Sequence, residues 1–274
     1  MIKSLIMKKI LCPTDFSNSA QNGIAYAAKL AKVINGELTL FHVQSLMEFV
    51  SGDSEKQRQS ITRQLESQSE EIARTFHIPC DAHVETTFRS LSNVIHDVSG
   101  QYDLIAMGSN GPDNVYQFMT GSHAYNAAVK SNSPVLIVPE QYVYSEIRSI
   151  VYAFDYLKER RLPLDELIKF AAVLKSEITV LQVMEEAQSK GADEDLRELQ
   201  LIIQNLYSGN VPLKYETIRS SDIALTINRY ITKVQPDVLA MCSVHMNAVQ
   251  RLFHTSVIKN ISVTTDIPLF VFHG

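Results

Sequence analysis

The 274-residue chain has no tryptophan, only three cysteines and ten glycines, and no run of 18 apolar residues. Without such a run there is no candidate membrane-spanning helix. The opening Met-Ile-Lys-Ser-Leu-Ile-Met also lacks the apolar core and small-residue cleavage site of a secretory leader. Cys12, Cys80 and Cys242 are odd in number, far apart, and show neither metal-knuckle nor redox-motif spacing. That excludes a disulfide framework and points to a reducing cytoplasm. Positive charge is scarce as well. Against 30 Asp and Glu stand 25 Lys and Arg, for a net charge of −5 shared by both halves of the chain. Nucleic acid and anionic membrane both demand clustered cations, so neither is an expected partner. The chain contains no G-x-x-x-x-G-K-[ST], no G-x-S-x-G and no H-E-x-x-H, which removes the commonest signatures of P-loop and hydrolytic chemistry.

What is present is an ordinary folded composition, 45% hydrophobic and 20% charged, in a chain long enough for two domains. The chain is also written twice. Glu37-Leu-Thr-Leu-Phe-His-Val43 aligns with Glu177-Ile-Thr-Val-Leu-Gln-Val183, and the same shift carries Asp15 onto Asp155. Both stretches are short, apolar and rich in β-branched residues, which predicts strands buried on both faces. Ile24, Ala27, Ala28 and Ala31 fall on Leu164, Leu167, Ile168 and Ala171 with helical spacing in both copies. A slightly smaller shift lays Asp103-Leu-Ile-Ala-Met107 over Asp237-Val-Leu-Ala-Met241, and Pro134 to Val138 over Pro268 to Phe272. The missing residues are expected in the second helix, near 53–77 in the first copy and 193–207 in the second.

Each copy therefore alternates strands with helices, which predicts an α/β fold with a parallel sheet and helices on both faces. The expected strands lie near 8–14, 37–43, 81–86, 103–108 and 134–138, then near 149–154, 177–183, 213–217, 237–242 and 268–272. The expected domains are residues 1–140 and 146–274, with a linker near 140–146. The polar stretch with Glu55, Arg58, Arg63, Glu66, Glu70 and Glu71 is expected to be a solvated helix face. Open parallel sheets bind ligands beyond the carboxyl ends of their strands where strand order reverses, so the ends of the first and fourth strands are the place to look.

After the fourth strand comes Met107-Gly-Ser-Asn-Gly-Pro-Asp-Asn-Val-Tyr-Gln-Phe-Met-Thr-Gly-Ser-His123, which has the frame G-2x-G-9x-G-S. Gly108, Gly111 and Gly121 allow backbone amides to approach a ligand, and Gly121-Ser122 opens a helix whose free N–H groups favour an anion. Ser122 is equally a good helix cap. Asp15 can accept hydrogen bonds from ribose hydroxyls or an exocyclic amine, or it can cap the following helix. From Gly108 to His123 there is no Lys or Arg. Charge on transferring phosphate oxygens would be met only by amides and a borrowed Mg²⁺ or Mn²⁺, so hydrolysis is expected to be slow or absent.

Pro13-Thr14-Asp15-Phe16-Ser17, the glycine loop, and Ser133-Pro134-Val-Leu-Ile-Val138 together resemble the universal stress protein family over nearly all of residues 7–139. The second copy resembles a divergent member. The resemblance implies five-stranded parallel sheets in the order 3-2-1-4-5 and a regulatory, stress-response module that holds ATP, with AMP and ADP as alternatives. Asp15, Val43, Met107 and Gly108 would lie at the nucleoside end. Gly111, Gly121 and Ser122 would lie on the phosphates, and Mg²⁺ or Mn²⁺ would be carried by them. His123, where the family more often has a small polar residue, either reaches a phosphate or stands idle. The resemblance also implies a pseudo-dimer within one chain through the fifth strands, and it is compatible with a homodimer.

In the second copy Gly108, Gly111 and Gly121 become Cys242, His245 and Thr255, while Ser122 is kept as Ser256. Side chains at those positions obstruct close backbone approach, so nucleotide is expected in the first domain only. Cys242, His245 and His254 carry zinc-ligand side chains. Their spacing fits no zinc module, and a strand-ending cysteine with two loop histidines is the reading adopted. The competing functions are a ligand-independent scaffold, a carrier of another small molecule in the second domain, or a slow ATPase.

Overall fold

The computed structural model describes residues 7–46, 54–109, 130–154, 164–184, 201, 211–242 and 266–272. The chain divides into two compact units, Met7–Tyr144 and one holding Ser145–Gly274. In the first, β1 (Lys9–Pro13), α1 (Asn18–Ile34), β2 (Glu37–Ser45), α2 (Ser54–Phe76), β3 (Cys80–Thr87), α3 (Leu91–Ser99), β4 (Leu104–Ser109) and β5 (Val135–Pro139) follow in order. The second contains β6 (Ser149–Phe154), α4 (Asp165–Leu174), β7 (Glu177–Met184), β8 (Leu213–Arg219), α5 (Ile223–Val234), β9 (Val238–Cys242) and β10 (Leu269–Phe272). Within each unit the strands are ordered 3-2-1-4-5: β3-β2-β1-β4-β5, and β8-β7-β6-β9-β10. The pairings β1 with β2 and β4, and β6 with β7 and β9, are all parallel. The second helix of the second repeat and the zinc-type histidines His245 and His254 lie outside the described residues.

Small apolar residues explain how closely α1 lies on its sheet. Ala27, Ala28, Leu30 and Ala31 are wholly buried, and Leu167 and Ala171 of α4 repeat the pattern. Both helices stop in the same way. Asn35 and Lys175 take left-handed φ values of 50° and 58°, and each turns its N–H back onto carbonyls of the last turn. Asn tolerates that conformation far better than Lys, so the second copy keeps the geometry with a less suitable residue.

The repeated aspartate has a structural task in both units. Asp103 Oδ2 accepts the N–H groups of Lys8 (2.8 Å) and Lys9 (2.9 Å) at the entrance to β1. Asp237 Oδ2 accepts those of Arg148 and Ser149, both at 2.9 Å, at the entrance to β6. Each carboxylate thus fastens the central strand of its sheet to the strand that crosses over to join it. The end of β5 and the start of the segment read as a linker pack on α1. Asn22 Nδ2 donates to the carbonyls of Pro139 (2.9 Å) and Tyr142 (3.1 Å), and the Tyr26 ring meets Tyr144 edge-on at 4.8 Å. Among the described residues no helix is long and apolar enough to cross a membrane, and no group of three metal-ligating side chains occurs.

Asp103→Ala and Asp237→Ala should each lower stability by about 1–3 kcal/mol in urea denaturation, because each orphans two peptide donors bound to a charge; unchanged midpoints would contradict this. The thiols should be inert in the native state. Burial holds Cys12 far above its ordinary value, with a smaller contribution from Cys80. Cys80 is pushed up to about 12, first by burial and then by Asp81. The thiolate is the nucleophile, so iodoacetamide at pH 8 should label Cys12 and Cys80 only after unfolding. Rapid native labelling of either would contradict the assignment.

Candidate functional site

The ends of β1, β2 and β4 form a notch. β1 stops at Pro13, opposite Phe41, whereas β2 runs on to Ser45 and β4 to Ser109. Along β2 the odd-numbered residues bond to β1: Glu37 N–H donates to Lys8 O (2.7 Å), and Phe41 O accepts from Thr14 N–H (2.9 Å). The next rung would use the N–H and C=O of Val43, and it is not made. Thr14 O is taken instead by His42 Nδ1 at 2.8 Å, and Phe16 N–H donates to Thr14 Oγ1 at 3.1 Å. The chain leaves the sheet here through Phe16, a non-glycine residue at φ 65°. The half-buried Val43 therefore presents a peptide donor and acceptor, side by side, to the space beyond β1.

Asp15 stands exposed at the same edge. It does not cap α1. Ser17 is the cap, accepting the N–H of Ala20 at 3.3 Å, and Asp15 braces it, with Oδ1 accepting Ser17 N–H (3.0 Å) and Ser17 Oγ–H (2.5 Å). Among the described residues Asp15 Oδ2 has no hydrogen-bond partner. Register fixes the remaining orientations. Leu11 lies level with Ile105 on β4 and Thr39 on β2, so Phe41 and Val43 share a sheet face with Met107 and Ser109. Asp15, Val43 and Met107 are thus brought to one edge of the sheet.

Gly108 belongs to the opposite face, and the space its missing side chain leaves is filled by the protein. A Cβ there would lie 1.8 Å from the carbonyl oxygen of Ser19, and one on Gly23 would lie 2.5 Å from Gly108 N. The expected reason for this glycine was approach of a ligand. The observed reason is approach of α1, whose backbone rests directly on the backbone of β4. Sequence reasoning missed Gly23, although a glycine inside an otherwise good helix was a visible signal. It also missed Ser109, which is 4% exposed. In the second repeat the counterparts of Gly23 and Gly108 are Pro163 and Cys242. Cys242 is buried at the end of β9. Its Cβ stands where the first unit has no room for one. Gly111, Gly121, Ser122, His123 and Asp155 lie outside the described residues.

The universal stress protein family model matches residues 7–139 and, separately, residues 146–273. The chain belongs to the universal stress protein family. It carries two tandem copies of the family domain. Universal stress protein MJ0577 of Methanocaldococcus jannaschii is 26% identical over 158 residues, 49% of this chain and 96% of that protein. A universal stress protein from Archaeoglobus fulgidus shares the fold over 97% of this chain and 98% of its own, at a TM-score of 0.72 and 17% identity. A Pseudomonas aeruginosa structure described as a putative universal stress protein covers 98% of this chain and 94% of its own, at a TM-score of 0.58 and 13% identity.

In this universal stress protein the seat of α1 on β4 should be intolerant of even one methyl group. Gly108→Ala and Gly23→Ala should each cost about 1–3 kcal/mol by overpacking backbone against backbone. Denaturant titration without any ligand checks this, and a wild-type midpoint for both would contradict it.

Proposed function

We propose that the first domain binds ATP at the notch beyond β1, and that the chain works as a nucleotide-responsive regulatory module of the stress-protein kind. The observation that carries this reading is the unmade rung at Val43. An adjacent N–H and C=O complement the N1 acceptor and the amino donor of adenine. Met107 offers an apolar neighbour for the base on the same sheet face, and the carboxylate of the exposed Asp15 suits the hydroxyls of ribose. The loop that begins after Ser109 would supply Gly111, Gly121 and Ser122 to the phosphates, as the family resemblance implies, with His123 beside them. Mg²⁺ or Mn²⁺ would arrive with the phosphates and offset their charge.

The same reading makes the protein a poor catalyst. The loop has no Lys or Arg to stabilise charge on a transferring phosphoryl group. No nucleotide is proposed for the second domain, where Cys242 replaces Gly108 and the other two loop glycines are His245 and Thr255.

Calorimetric titration with ATP tests the proposal on the wild-type chain and on Gly121→Val, a substitution in the loop that leaves the described core untouched. Saturable binding that weakens about tenfold or more in the variant is expected, since a valine blocks close approach of the main chain. Equal binding by both proteins, or none by either, would remove the nucleotide function.

A further inference from the structure

In the first unit β3 is the outermost strand, and among the described residues only β2 pairs with it. That pairing is parallel, with Leu38 level with Cys80 and the Leu38 N–H bonded to Pro79 O at 3.0 Å. In a parallel ladder the N–H and C=O of one residue point the same way, so Asp81, His83, Glu85 and Thr87 spend theirs on β2. Cys80, Ala82, Val84 and Thr86 turn theirs to the free edge.

Exposed edges are commonly blunted by proline, lysine or a bulge. β3 has none of these. Its eight residues, Cys80 to Thr87, stay in unbroken register with β2, and Phe88, 70% exposed, follows directly. The corresponding edge of the second unit is protected differently: β8 carries Arg219 and Lys214, whose ammonium holds Glu177 at 2.8 Å.

The sequence of β3 is complementary to itself. Two copies running antiparallel with Val84 opposite Val84 set Ala82 opposite Thr86 and Cys80 opposite Phe88. Of these, Cys80, Ala82, Val84 and Thr86 are the strand residues whose peptide groups β2 leaves unused, so they can form the hydrogen-bonded pairs of an antiparallel ladder. Between them fall His83 against Glu85 and Asp81 against Thr87, at the non-hydrogen-bonded positions where side chains lie closest. His83 and Glu85 already associate on one sheet face within a chain, at 3.6 Å from Nε2 to Oε2, and both are about half exposed. Slipping the register by one pair in either direction sets Asp81 against Glu85, or Glu85 against itself, and opposed like charges are destabilising.

We propose that β3 is a homodimerisation edge, taking the β3 of a second copy of this chain as an antiparallel neighbour with the two-fold axis between the two Val84 residues. The contact continues the sheet of the first unit into that of the second copy. It is independent of the nucleotide reading.

Sedimentation velocity of the full chain should show a reversible monomer–dimer equilibrium at micromolar concentrations. Val84→Pro removes a donor at the free edge and none bonded to β2, and should raise the dimer dissociation constant about tenfold or more. Glu85→Lys and His83→Glu each spoil the charge match, so each protein alone should dimerise more weakly than wild type. Mixed together they should form a heterodimer, because the substituted positions again oppose unlike charges. Amide exchange reads the register in wild type without any substitution. The amides of Ala82, Val84 and Thr86 should gain protection as concentration rises, whereas those of His83 and Glu85 should be protected throughout. A monomer at every concentration, a dimer indifferent to Val84→Pro, or a dimer whose formation leaves the Ala82, Val84 and Thr86 amides unprotected would overturn the proposal.

Discussion

The first domain depends on a contact between two stretches of bare main chain. The Ser19 carbonyl and the α-carbon of Gly108 meet with no side chain between them, and Gly23 extends the contact by one helical turn. Backbone approach this close seats the start of α1 on the end of β4. It constrains the short passage from Pro13 to Ser17 that joins β1 to the helix. In that passage Phe16 takes its left-handed turn, Asp15 braces the Ser17 cap, and Thr14 spends its carbonyl on His42. The pairing left unmade at Val43 follows from that departure. The packing of the core and the shape of the candidate site are one arrangement.

The two repeats show which parts of the fold are separable from the site. Both retain an aspartate that ties the central strand to the crossover strand, Asp103 and Asp237, and both retain a left-handed residue that ends the first helix. These features build a five-stranded parallel sheet whether or not anything binds to it. The glycine pair does not recur: Pro163 and Cys242 stand in its place. Architecture is preserved in the second copy at the strand tie and at the end of the first helix. It changes where the first copy needs two backbones in direct contact.

Much of this was legible in the sequence. Internal repetition, strand composition and the Ala-rich face of α1 pointed to the two α/β units, and the structure brings Asp15, Val43 and Met107 to one edge of the sheet. Three features were not legible, because each depends on contacts that only the folded chain shows. The role of Gly108 depends on Ser19, nearly ninety residues earlier. Asp15 read equally well as a cap until Ser17 was seen to fill that role. Ser109 is an unremarkable strand-ending serine in sequence, and only the folded chain shows that it is buried.

The central claim is that one crevice in one of two similar domains holds a nucleotide. Native mass spectrometry of the full chain with excess ATP counts occupancy directly. A single adduct per chain is the result this account requires. Two adducts would mean that the second domain binds in spite of its lost glycines, and none would mean that the notch beyond β1 is not a nucleotide site.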